Sequence, residues 1–440
     1  MTLHALQPLF DDKLLTAHLV AEFVAYGNAP RFGKGHGPDL FLADRAGQDF
    51  EKLRLDCHGG AECNIALSRL RGRAVACRPL GGRATRNLMK VLHLAAGNRW
   101  TGAAAPAFAE TEALREGGVD AHFAYVGGYK LQKKIEHHDF THPIIAKAQN
   151  PFSFARTVDA IAGLIDHHRF EVVHAHLTYD HWLASFATRG ERTAIVRTFH
   201  ARRALRGDLF TRRLIARTER ICVINESFVD ALPIRGHAPV FTPPPVPQRQ
   251  FTPTGRDVRE QYGLGPEVLL LLAIGKLSRG RGFEEVLRTY SLVRREVPNA
   301  RLMIVGHGEH RPALEILAGD LAVDVIWAGY HEDDLAEHYR AADVLLFTAR
   351  GSDEGHRAVL EAMACGVVPV TFPLEGMPAL LGDLAAQLIA EAGTPDATAP
   401  KVIAVSRGDI AGLRRRAFEQ SDRFGYESAA ARLLGVYGNI

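Results

Sequence analysis

Val- and Ile-rich runs alternate with helical patterns twice along this chain, and that alternation constrains the fold more than any other feature. From Met89 the runs MKVLHLA, DAHFAYVG, EVVHAH, AIVRTFH and RICVIN are separated by helical stretches, among them about 102–116 and 152–168. Short strands of this kind, alternating with helices, build parallel sheets covered on both faces. The segment VFTPPPVPQRQF, with its prolines between Pro243 and Pro247, continues neither element and reads as a stiff linker. Beyond it the alternation restarts with EVLLLLAIG, ARLMIVGHG, VDVIWAGY, ADVLLFTA and VVPVTF. The expected architecture is α/β: two doubly wound domains, 89–245 and 246–412, with a cleft between the carboxyl ends of their sheets, where such folds bind ligands. A helical stretch, 413–440, closes the chain.

Composition removes several classes. The 440 residues are 47% hydrophobic and 23% charged, as in ordinary globular proteins. No apolar run reaches the roughly 18 residues a membrane span requires. The first residues, MTLHALQPLFDD, lack the basic flank and long apolar core of a secretory signal. Five scattered cysteines argue for a reducing compartment, and a net charge of +3 is too small to imply nucleic acid. A cytoplasmic protein is expected. Residues 1–88 fit neither domain and read as an N-terminal extension of unknown structure. Cys57, His58, Cys63 and Cys77 lie there, at spacings that match no zinc pattern.

The functional signal concentrates at GSDEGHRAVLEAMACG, residues 351–366. A Gly-Ser loop with two acids, Asp353 and Glu354, leads into an apolar helix starting at about Arg357 and carrying Glu361. Seven residues separate Asp353 from Glu361. A loop acid and a helix acid at that spacing can face one ligand, while the helix N-terminus offers N–H groups to an anion. The competing explanation is a capped, solvated helix start, where Asp and Glu are also favoured. The second domain's first strand–helix turn is GKLSRGRGF. Gly275, Gly280 and Gly282 allow a tight turn and close approach to a ligand, and Lys276 and Arg281 supply two cations. Each cation about 4 Å from a departing diphosphate is worth roughly 4 kcal/mol at an effective dielectric near 20, so no metal is required. For an isolated Lys or Arg, a solvated loop is the commoner explanation. In IVGHGE, Gly306 ends a strand in a Gly-x-Gly turn, a weak signal on its own.

The order of these pieces resembles the retaining GT-B glycosyltransferases, particularly glycosyltransferase family 4, from Met89 to the C-terminus. The resemblance implies two Rossmann-like domains facing each other across a cleft, the first holding the acceptor and the second a nucleotide-diphosphate-sugar, with no metal cofactor. The family's Arg and Lys fall on Lys276 and Arg281, so the two types are exchanged and both charges remain. Its Glu-x7-Glu motif falls on Asp353 and Glu361, with Asp where Glu is usual. By resemblance Asp353 contacts the donor sugar, with Glu354 as the neighbouring alternative, and Glu361 holds the ribose. Gly355, His356 and Arg357 bring N–H groups and a cation to the diphosphate. In GNRWTGAA, Gly102 matches the glycine loop beneath the sugar, and His200, at the end of AIVRTFH, matches the histidine at the cleft bottom. The closing helix is implied to cross back to the first domain.

His174, His176 and His181 in VVHAHLTYDH suggest metal ligands, but strand-end histidines are more often polar lining and the family needs no metal. No side chain stands out as a covalent nucleophile. The expectation is same-face transfer from a nucleotide-sugar to a carbohydrate or glycolipid hydroxyl, in polysaccharide, lipopolysaccharide or glycolipid synthesis. A nucleotide-sugar 2-epimerase and a binding module without catalysis are the alternatives. Arg202, Arg203, Arg206, Arg212, Arg213 and Arg217, interleaved with Leu and Phe between Ala201 and Ile221, offer a basic surface to anionic lipid. The commoner explanation is a solvated helix packed on its own domain.

Overall fold

In the computed structural model the strand–helix alternation of the sequence becomes two parallel sheets. The structure describes residues 89–440 apart from 101, 148–149, 189–192, 206, 232–237 and 350–354. The first lobe contains β1 (Lys90–Ala95), α1 (Ala104–Glu116), β2 (Asp120–Val126), α2 (Lys130–Ile135), β3 (Thr141–Ile145), α3 (Pro151–His168), β4 (Val172–Ala175), α4 (Thr178–Ala187), β5 (Ala194–Phe199), α5 (Leu209–Ile215), β6 (Arg220–Val223) and β7 (Val240–Phe241). These strands form a seven-stranded sheet of order β3-β2-β1-β4-β5-β6-β7. The second lobe contains β8 (Leu269–Ile274), α6 (Phe283–Glu296), β9 (Ala300–Val305), α7 (Arg311–Asp320), β10 (Val325–Gly329), α8 (Leu335–Ala341), β11 (Val344–Phe347), α9 (Arg357–Ala364) and β12 (Val368–Thr371). Its five-stranded sheet runs β10-β9-β8-β11-β12. Both sheets reverse direction of growth beside their first strand, the switch point at which such folds open a crevice. The expected α/β architecture is what the chain adopts.

β1, β2, β8 and β9 are almost continuously apolar and buried, as strands covered on both faces must be. The crossover helix α3 begins where Asn150 accepts a hydrogen bond from the Ser153 N–H and Pro151 occupies the first turn; it stops at Arg169, in left-handed conformation. In the second lobe the Asp343 carboxylate accepts from Leu270 N at 2.9 Å, Arg259 at 2.6 Å and Arg414 at 2.9 Å, tying the post-linker segment and a later helix to the sheet. β3 and β7, both short and one of them containing Pro143, were not distinguishable as strands by their pattern.

After β12 come α10 (Met377–Leu381), α11 (Ala385–Leu388), α12 (Pro395–Arg407), α13 (Ile410–Ser421) and α14 (Tyr426–Tyr437). The closing helical stretch expected over 413–440 is therefore two helices broken at 422–425. Leu413 and Ala417 of α13 pack into the second lobe, whereas Leu433, Val436 and Tyr437 of α14 join Val91, Leu114 and Val196 of the first. The proline segment 243–246 is buried, and Val246 bridges to Gly425.

His122 of β2, His142 of β3 and His168 of α3 cluster, with a 2.8 Å hydrogen bond between the first two. Burial, then the neighbouring His122 and His168, hold His142 down at about 4. Asp120, 3.1 Å from His122, is the acid that faces the group. Because the folded pKa lies below the unfolded value of 6.5, this residue's contribution is present above pH 6.5 and lost as pH falls through about 4. His142→Gln is expected to lose less stability than the parent between pH 7 and about pH 5, measured by urea midpoints at the two pH values.

Candidate functional site

The turn after β8 and the turn after β9 pack backbone to backbone. Gly275 N–H donates to Val305 O at 3.0 Å and Leu277 N–H to His307 O at 2.9 Å. Gly306 has φ +147°, and a Cβ there would lie 1.8 Å from the Gly275 carbonyl oxygen. Gly282, with φ +82°, caps α6 against the Thr348 carbonyl. The turn after β9 can therefore lie against the turn after β8 because Gly306 and Gly308 carry no Cβ there. Between them Lys276 is exposed and 3.7 Å from Glu309, so an incoming anion must compete with that carboxylate in a weak, solvated pair. Arg281 is half-buried, two residues before α6.

Glu361 lies in the second turn of α9 and is 6% exposed. Its carboxylate accepts from the buried Tyr339 hydroxyl at 2.9 Å, and the Arg357 guanidinium sits 3.1 Å away. Both neighbours fix its orientation, and burial followed by the Glu361 charge keeps the Tyr339 phenol firmly protonated. His356, the residue before α9, adopts a left-handed conformation (φ 49°) and donates from Nε2 to the Glu375 carbonyl at 2.8 Å. Gly355 is packed so closely that a Cβ would meet Pro244 at 2.7 Å and Ile224 at 3.0 Å. Asp353 and Glu354 lie outside the described residues.

In the first lobe His200 follows β5, and its Nε2 lies 2.9 Å from His176 Nδ1. Burial, then Arg197, lowers His200 to about 3, so the imidazole is neutral at neutral pH. Its Nδ1 has no hydrogen-bond partner among the described residues. His181 instead donates to Thr218 at 2.7 Å. Asp180 ties the exit of β1 to the start of α4, accepting from Ala96 N and Leu177 N, both at 2.7 Å. Gly102 is exposed, with nothing within 4 Å of a Cβ placed there.

A cleft of about 970 Å³ runs between the lobes. Gly275, Lys276, Gly306, Arg357 and Glu361 all line it, facing Trp100, Glu112 and Lys134 of the first lobe. Arg281, His200, Gly102, Gly355 and His356 are not part of its wall. Among the described residues, ion pairs join the lobes at Lys134 with Glu332, Arg202 with Glu375 and Arg249 with Glu116. The arginine-rich stretch is not one helix: a single turn at Arg202–Ala204 precedes the short α5, whose Leu214 and Ile215 point into the lobe while Leu209 is exposed.

Residues 269–407 match the family profile described as glycosyl transferases group 1. The crystal structure of Anabaena HepE in complex with UDP and glucose aligns with a TM-score of 0.64 at 16% identity, covering 80% of this chain and 100% of that one. The fold is GT-B, and the stretch that matches the group 1 profile lies in the second lobe. GDP-mannose-dependent alpha-(1-6)-phosphatidylinositol monomannoside mannosyltransferase of Mycolicibacterium smegmatis is 33% identical over 188 residues, 40% of this chain and 47% of that protein. N-acetyl-alpha-D-glucosaminyl L-malate synthase of Bacillus anthracis is 22% identical over 349 residues, 74% of this chain and 90% of that one. The chain spans about half the length of the first curated relatives it matches, 47%, 45% and 48%.

Within this GT-B frame the sequence reading missed the polar core beneath the first lobe. Glu110 of α1, at 2% exposure, is pushed up to about 8 by burial, and Arg197 of β5 is also buried. A lone acid in the Ala-rich AAPAFAETEALRE and a lone Arg in AIVRTF were the available signals. Tyr339, which holds Glu361, sits in α8 with no motif around it.

Proposed function

We propose that the chain transfers a sugar from a nucleotide-diphosphate-sugar to an acceptor hydroxyl with retention of anomeric configuration. The observation that carries the reading is the convergence of Gly275, Lys276, Gly306, Arg357 and Glu361 on one interlobe cleft. Backbone at two glycine turns lets a diphosphate approach, two cations balance it, and a buried carboxylate accepts hydrogen bonds from ribose hydroxyls. Relatives named for GDP-mannose-dependent mannosyl transfer and for N-acetylglucosaminyl malate synthesis support the donor class.

In the proposed reaction the bond between the anomeric carbon and the β-phosphate oxygen breaks, and its electron pair stays on that oxygen. The acceptor oxygen bonds to the same face of the carbon, and its proton passes to the phosphate oxygen. Lys276, with Arg281 in the same turn, stabilises the departing diphosphate without a metal. Asp353 holds the donor sugar and His200 positions it. Gly102, Glu354, Gly355 and His356 complete the proposed binding set. The acceptor enters from the first lobe, and a glycolipid acceptor is consistent with exposed Arg202, Arg203, Arg212 and Arg213.

Incubation with GDP-mannose, UDP-glucose and UDP-N-acetylglucosamine, with and without acceptor, tests the reading. Release of nucleoside diphosphate is expected from one donor and only with acceptor; an epimerised donor formed without acceptor would replace transfer with isomerisation. Glu361→Ala is expected to raise the KM for that donor about 10–100-fold, the worth of hydrogen bonds to a charged group.

A further inference from the structure

Three groups of His, Asp and Glu among the described residues have ligand atoms close enough for an ion. One stands apart because all four members are buried: His93 of β1, Glu110 of α1, and His174 and His176 of β4. Glu110 Oε2 lies 3.9 Å from His93 Nδ1, 4.0 Å from His174 Nδ1 and 3.8 Å from His176 Nε2. Neither Glu110 oxygen has a hydrogen-bond partner among the described residues. A buried carboxyl facing three imidazoles without bonding to any of them requires an explanation.

We propose that His93, Glu110, His174 and His176 form a structural site for a divalent first-row transition ion, of which zinc is the type. Three imidazoles and a carboxylate are a donor set that zinc accepts in tetrahedral geometry. Metal–nitrogen bonds of about 2.0–2.1 Å place neighbouring ligand atoms about 3.4 Å apart. The Glu110 edges are a few tenths of an ångström longer than that, and the His93–His176 edge, at 2.9 Å, is shorter. Small side-chain shifts close the polyhedron.

The outer partners agree. A ligating imidazole donates its other N–H to an acceptor, which fixes ring and tautomer. His93 Nε2 is 3.3 Å from the Tyr437 hydroxyl, His174 Nε2 is 2.6 Å from Thr198 Oγ1, and His176 Nδ1 is 2.9 Å from His200 Nε2. All three ring nitrogens opposite the ion thus have an acceptor in place. Tyr437, 2.7 Å from His174 Nδ1 without metal, must release that nitrogen. With His176 Nε2 on the ion, its Nδ1–H donates to His200 Nε2. His200 is then held with its proton on Nδ1, as a donor. The ion would also pin α14, which carries Tyr437, to the first lobe.

The full chain, expressed in zinc-supplemented medium and dialysed against EDTA, is assayed for metal by plasma mass spectrometry. About one zinc per chain is expected in the parent and in the His122→Ala/His142→Ala variant, which removes the more exposed histidine group. Glu110→Gln, close in shape, is expected to retain less than a tenth of it and to lose the zinc-dependent rise in thermal midpoint. Its metal-free midpoint should match that of the metal-free parent. Parent protein without EDTA-resistant metal, or Glu110→Gln holding as much as the parent, overturns the proposal. The parent measurement stands even if the variant fails to fold, and none of these readouts depends on sugar transfer.

Discussion

Lys276→Ala is expected to lower kcat about 100- to 1,000-fold with little change in stability. As the sugar leaves, charge accumulates on the diphosphate, so a cation near it stabilises the transition state more than the bound donor. Deleting one such group costs roughly 3–4 kcal/mol of transition-state stabilisation. The ammonium is exposed in the open cleft and among the described residues is engaged by Glu309 in a weak, solvated pair, so the ground state loses little when it is removed. The thermal midpoint should therefore move by no more than about 1–2 °C. Lys276→Arg is expected to recover part of the rate, since the charge returns with a wider, planar head group. Nucleoside diphosphate release under saturating donor and acceptor measures all three. Near-parental turnover by Lys276→Ala would mean that the diphosphate departs elsewhere.

The fold was legible because parallel strands buried on both faces leave long apolar runs. VLLLLAIG and LMIVG cannot be half-exposed strands, and the helical patterns between them supply the crossovers. The candidate site was legible where local backbone chemistry carries it: glycines at turns that need left-handed or crowded backbone, and an acid one turn into a helix. The remainder depends on distant pairs. Tyr339 meets Glu361 across 22 residues and Tyr437 meets His174 across 263, and no local pattern announces either contact. Gly355 illustrates the converse. Its sequence position suggested a ligand loop, whereas its described surroundings are Pro244 and Ile224, a packing reason sufficient for glycine by itself. Arg202 likewise belonged to a supposed basic surface, and in the folded chain it also reaches Glu375 of the other lobe.

Gly306→Ala is expected to be the most disruptive single-methyl change in the second lobe. Its φ of +147° is a conformation that L side chains rarely adopt, and the added Cβ would sit 1.8 Å from the Gly275 carbonyl oxygen. That obstacle is backbone, which no rotamer change relieves. Relief requires the turn after β9 to move away from the turn after β8, breaking the Gly275–Val305 and Leu277–His307 hydrogen bonds. Strain together with lost backbone bonds places the cost at about 3–5 kcal/mol, in the range reserved for special backbone sites. For a chain of this size that corresponds to a fall of about 3–5 °C in thermal midpoint. Because Lys276 rides on the turn after β8, which loses these two backbone bonds, donor affinity should fall further than stability alone explains, and calorimetric titration with nucleoside diphosphate at a temperature where the variant stays folded separates the two effects. Gly102→Ala is the matched control: its Cβ meets nothing within 4 Å, so the midpoint should hold within about 1–2 °C. If both substitutions prove equally mild, the two turns are not the rigid cradle their contacts imply.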